Sequence, residues 1–192
     1  MPAEPRHIDV RDPGPMRALA HPVRLRILGL LRVEGPATVG RLAERTGEAA
    51  GSVSHHLKTL AKHGFVEGAP ELARDRREHW WRAAHEFTTF DVADVEGDPE
   101  RRDAADAMRR AVLDASHLEL VQALAAERDD DPAWVQASDS SDIAAHLTLE
   151  EFREMVAEVE AVRDRWFQRG RDPREGTRIV RLITHAFPRS DA

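Results

Sequence analysis

The sequence predicts a mainly α protein in two parts, with one β-hairpin in the first part and one strand at the end of the second. Three observations carry that expectation. Apolar residues recur at helical spacing through most of the chain, as in Val53, Leu57 and Leu60, which marks amphipathic helices. Gly and Pro close those runs, at Gly35-Pro36, at Gly64, at Gly97 and Pro99, and at Gly170 and Pro173. The charge also changes along the chain. Residues 1–90 hold 14 Lys/Arg against 11 Asp/Glu, whereas residues 91–192 hold 14 against 24. A formal net charge of -7 therefore hides a first part that suits a polyanion and a second that would stay off one.

Bulk composition narrows the classes. A length of 192 residues suits one large domain or two small ones, and 33% charged with 5% aromatic residues suits a helical protein with a wet surface. There is no Cys, which excludes disulfides, thiolate metal sites and a cysteine nucleophile. Residues 1–11 carry Glu4 and Asp9 and no apolar stretch, unlike a secretory signal. No apolar run approaches the ~20 residues that cross a bilayer. A cytoplasmic protein with no membrane partner is expected.

Taken in order, residues 1–14, with Pro2, Pro5, Pro13 and Gly14, read as a flexible arm. Pro22 opens a helix in which Val23, Ile27, Leu30 and Leu31 share a face. Thr38 is an N-cap for a short helix, Val39 to Arg45, with Val39, Leu42 and Ala43 inward. Thr46-Gly47 makes a tight turn into a helix from about Ala49 to His63, with Ala50, Val53, Leu57 and Leu60 as its stripe and Gly64 as its stop. Two short helices across a Gly-bearing turn describe a helix-turn-helix. Residues 65–67 and 79–83 read as strands around a charged stretch holding Arg74, Arg76 and Arg77, a hairpin that would form a wing.

The acidic part opens with a long helix, Glu100 to Arg128, whose Ala105, Met108, Val112, Ala115, Leu118, Val121 and Leu124 are spaced for a continuous buried seam. Residues 133–146 are irregular. Thr148 and Glu151 form a capping-box pair at the head of a helix running to about Arg169. Thr177 to Phe187 is β-branched and ends at Pro188, so it reads as a strand in need of a partner. The expected division is an arm at 1–14, a winged helix-turn-helix at 15–90, a linker at 91–99 and a helical dimerisation or effector domain at 100–192.

The run LAHPVRLRIL from Leu19 to Leu28, then Thr38 with Leu42-Ala43, then SVSHHLKTL from Ser52 to Leu60, then Gly64 to Val66, resembles the ArsR-like winged helix-turn-helix family. The resemblance spans residues 16–84. It implies a dimeric repressor or activator whose hold on an operator answers to an effector. Members that sense metals use Cys, or His with carboxylates. This chain has no Cys, and Asp114 with His117 is its one i,i+3 pair of that kind on the long helix, so no metal and no cofactor is expected.

An α-helix fits the major groove, and its N-terminal part reaches the bases in this architecture. With Val53, Leu57 and Leu60 inward, the residues offered to DNA are Ser52, Ser54, His55, Lys58 and Thr59. Serine hydroxyls and the His55 ring can bond base edges or phosphates, while Lys58 and Thr59 sit one turn further on, nearer the backbone. Arg74, Arg76 and Arg77 would supply the sequence-independent phosphate attraction, and Thr38 would place a phosphate at a helix N-terminus. Each has a plainer reading, as a solvated face, a loop charge or a simple cap. Trp134, Phe152, Trp166 and Phe167 could wall a pocket for an unidentified small-molecule effector, or fill a core or dimer seam. No Gly-rich phosphate loop, nucleophile elbow or paired-His metalloprotease motif is present, so the chain reads as no enzyme. The expectation is a homodimer on a palindromic duplex operator. The alternatives are a protein-interaction winged helix, and a small-molecule sensor whose C-terminal pocket is its main business.

Overall fold

The computed structural model describes residues 6–75, 78–90 and 97–189. Its contacts divide the chain into two compact units, Met1–Ala125 and Ala126–Ala192.

In the first unit, β1 (His7–Asp9) precedes α1 (Pro13–Leu19), α2 (Pro22–Val33), β2 (Ala37–Thr38), α3 (Val39–Thr46), α4 (Ala50–Lys62), β3 (Val66–Gly68), β4 (Trp80–Ala83), β5 (Phe87–Thr89) and α5 (Pro99–Ala126). The helices form because each presents an apolar face to one core. Met16 from α1, Ile27 from α2, Leu42 from α3, Val53, Leu57 and Leu60 from α4, and Phe65 after it are all essentially inaccessible. Ala104, Ala105 and Met108 of α5 complete that core. The first turns of the long helix therefore pack with the first unit, past the 91–99 segment read as a linker, of which residues 91–96 lie outside the described residues. Small side chains on that face let the helix approach closely.

The wing is antiparallel, in the order β2-β4-β3, with Ala37 opposite Trp81 and Glu67 opposite Arg82. Two further pairings escaped the sequence reading. The two residues of β2 add an edge to the hairpin, and β1 runs parallel to β5, with His7 opposite Phe87 and Asp9 opposite Thr89. The described part of the 1–14 segment is therefore not a flexible arm. Val10 is buried, and Pro13, read as part of the arm, opens the first turn of α1, where a missing N–H costs nothing. Arg32 locks this side of the unit, donating to the His85 carbonyl oxygen at 3.0 Å and to Thr88 Oγ1 at 2.8 Å. Burial pulls its guanidinium down to about 10.

The second unit holds α6 (Pro132–Gln136) and α7 (Leu149–Arg169). The capping box at the head of α7 is formed: Thr148 N–H donates to Glu151 Oε2 at 2.7 Å, and Glu151 N–H to Thr148 Oγ1 at 3.3 Å. None of its described residues is buried. Residues 177–187, expected as a strand, form neither strand nor helix. A strand exists by pairing, and the single chain offers it no partner among the described residues. The seam of α5 is likewise covered only at its start. Ala104, Ala105, Met108 and Ala111 are buried, while Val112, Leu118, Val121 and Leu124 are 40–56% exposed.

Candidate nucleic-acid interface

The helix-turn-helix is set by α2 from beneath. Arg26 donates to the carbonyl oxygens of Arg45 at 2.8 Å and Thr46 at 3.0 Å. It thereby satisfies the end of α3, where carbonyls lack helical partners. Gly47 then turns the chain at φ 74°, a left-handed conformation natural to glycine. Arg24 does the same for α1, bonding the Ala18 and Arg17 carbonyl oxygens. In the sequence, both arginines fall outside the Val23, Ile27, Leu30 and Leu31 stripe of α2. Their spacing gave no hint that they cap other helices, because that depends on tertiary proximity.

On α4, Val53, His56, Leu57 and Leu60 point inward and are buried. His55 and Lys58 are exposed, and Ser52, Ser54 and Thr59 are partly exposed. Lys58 forms no ion pair among the described residues. Ser54 and His55 stand on the outer face within the first two turns, with Lys58 one turn on. Ser52 donates to Glu48 Oε2 at 3.3 Å, and Thr59 donates to the His55 carbonyl oxygen at 3.1 Å. Both hydroxyls are therefore already engaged, Thr59 in the back-bonding common for Thr within a helix. Ala50, read as part of the apolar stripe, is exposed, and His56 takes the inward place.

Thr38 caps α3, accepting from Arg41 N–H at 3.3 Å. A cleft of about 260 Å³ opens beside it, lined by Thr38, Val39, Gly40, Glu78 and His79. Glu78 brings negative charge there, and its carboxylate sits below the usual range because it accepts from the Arg74 amide and the Trp80 indole N–H. Arg74 is exposed near the wing tip; Arg76 and Arg77 lie outside the described residues. The wing's remaining arginine, Arg82, is held by Glu67 at 2.7 Å and by Glu71.

The aromatic residues of the second unit are partly covered at Trp134, Phe152 and Phe167 and exposed at Trp166. Arg178 lies over the Trp134 ring at 5.0 Å and pairs with Asp130 at 2.7 Å, and Arg169 lies over Trp166 at 4.9 Å. Among the described residues no three His, Asp or Glu side chains are grouped to hold a metal ion, and no helix is long and apolar enough to cross a membrane.

Residues 19–69, about a quarter of the chain, match the helix-turn-helix domain family. No curated protein matches the chain. Among solved structures it is similar to the homodimeric winged helix-turn-helix DNA-binding domain, residues 1–100, of a possible ArsR-family transcriptional regulator from Mycobacterium bovis. That match has 27% identity and a TM-score of 0.33, covering 59% of this chain and 77% of that one. It is also similar to ZitR of Lactococcus lactis, at 17% identity and a TM-score of 0.34, covering 77% and 83%. At such TM-scores these likenesses carry no weight beyond the chain's own geometry. That geometry and the family match agree: residues 19–69 form a helix-turn-helix domain, and the sheet that joins it makes it winged.

Proposed function

We propose that the protein is a sequence-specific transcription regulator that binds a palindromic duplex operator as a homodimer, with α4 in the major groove and the wing along the backbone. The observation that carries this is the division of α4. One face is sealed into the core by Val53, Leu57 and Leu60, and the other offers Ser54, His55 and Lys58 to solvent. Ser54 and His55 are assigned to base edges, and Lys58, Arg74, Arg76 and Arg77 to phosphates. Ser52, Thr59 and Thr38 have hydroxyls already bonded within the protein and take at most a second, weaker contact. The 15–90 region is assigned to reading DNA and the 100–192 region to pairing subunits. Support for pairing comes from the exposed seam of α5 and from a second unit with no buried residue among those described. Small domains without a core need a partner. Trp134, Phe152, Trp166 and Phe167 remain the surface on which a small effector would act.

The test is selection of binding sites from random duplexes, repeated with His55→Ala and with Arg76→Ala/Arg77→Ala. A palindromic site should emerge. His55→Ala should relax its sequence preference, at a cost of ~1–3 kcal/mol on the correct site. The wing change should weaken all sequences alike and flatten the salt dependence. If no duplex is enriched, the winged helix serves protein contact instead, a reading that the neutralised Arg82 and the acidic Glu78 in the wing would then explain.

A further inference from the structure

Beneath the reading face lies a pair of histidines to which the DNA-binding proposal gives no work. His21 is the N-cap residue of α2, and His56 projects inward from α4 with 8% of its surface exposed. Their rings lie 4.7 Å apart between centroids, tilted by 48°, and the His55 ring stands edge-on to His56 at 5.9 Å. Nδ1 of His21 and Nδ1 of His56 are both buried without a hydrogen-bond partner. A neutral ring can leave that nitrogen as a bare acceptor. A charged ring carries a proton on both nitrogens, so charging either one buries an unpaired donor together with a cation, a combination that is expensive in a low-dielectric site.

We propose that the His21–His56 contact is a proton-operated joint: with both rings neutral it seats α4 on α2, and charging either ring unseats the reading helix and releases the operator. The proposal rests on α4 being the DNA-reading helix. The groups facing the pair set its direction. Arg24 on α2 and His55 on α4 oppose a further positive charge, while Glu48, in the turn before α4, favours one. Burial is the largest influence on both rings, and the net effect places each below the ordinary 6.5. A group protonated less readily when folded than when unfolded supports the fold above its unfolded value and loses that support on acidification. The joint is therefore closed above about pH 6.5 and opens progressively below it.

This sign is opposite to that of ordinary electrostatics. Acid adds positive charge to a protein, which on its own would strengthen attraction to any phosphate backbone. A joint that opens instead lowers the specific affinity while non-specific affinity holds or rises.

The experiment uses the full chain at fixed ionic strength, with its selected operator and a random duplex, between pH 7.5 and 5.5. Operator affinity should fall severalfold, while random-duplex affinity does not fall. His56→Gln and His21→Asn should each shrink that fall, and the two changes together should remove it. Amide exchange of residues 53–60 should quicken on acidification in the wild type, less in either single variant, and not in the double one. If His56→Gln does not fold, His21→Asn alone decides. Operator affinity that stays level or rises in acid overturns the joint, and so does a fall that the folded variants retain in full. If no operator can be selected, the DNA-reading proposal fails instead. The exchange data then still decide the joint, since acid-independent protection of α4 overturns it.

Discussion

Gly47 shows how much of the reading head depends on single residues. Its φ of 74° turns α3 into α4, and a Cβ built there meets nothing within 4 Å. Substitution therefore tests the backbone alone. Gly47→Ala should destabilise the protein by about 1–2 kcal/mol, the cost of a left-handed alanine. The check is a lower denaturant midpoint with an unchanged slope. At this scale the sequence was legible wherever a side chain acts on its own neighbours: the Thr38 cap and the inward Val53, Leu57 and Leu60 needed only local spacing. Arg24, Arg26, Arg32 and His21 were opaque. Their partners lie 6 to 56 residues away in the chain for the arginines, and 35 for the ring that His21 meets.

Among the elements, α7 is the clearest case of local instruction. The Thr148/Glu151 pair announced its start, and the helix runs from Leu149 to Arg169 as the spacing predicted. Because no residue of α7 is fully buried in the single chain, its first turn leans on that cap. Thr148→Ala should cost about 1 kcal/mol locally, which corresponds to roughly fivefold faster amide exchange over residues 149–152, with operator affinity unchanged. The strands were read less well. The hairpin strands β3 and β4 lie close in sequence and carry β-branched or aromatic residues, so both were visible. The strands β1, β2 and β5 have two or three residues each, too few for a period of two to show. Residues 177–187 had the composition of a strand but not the partner that makes one.

For the whole molecule, the uncovered apolar surface decides. Val112, Leu118, Val121 and Leu124 on α5, and Ile143, Trp166, Val180 and Phe187 beyond it, are 40–84% exposed. Apolar residues repeated along one exposed helix, as on α5, suit a surface that a partner covers. If a second copy covers them, stability is tied to association. The thermal midpoint should then rise with protein concentration over a hundredfold range, whereas a monomer would show a constant one. The charge split between the two parts was readable from composition. Which side chains would meet across a subunit boundary was not, since no periodicity within one chain names its partner.

The pairing of β1 with β5 also sets a clock. His7 is made before its partner Phe87, which follows 80 residues later. At roughly 5–20 residues per second, the first strand waits on the order of 4–16 s with an open edge. The strand is thus made well before it can be placed. Until then, Ile8 and Val10 are an uncovered apolar stretch of the nascent chain.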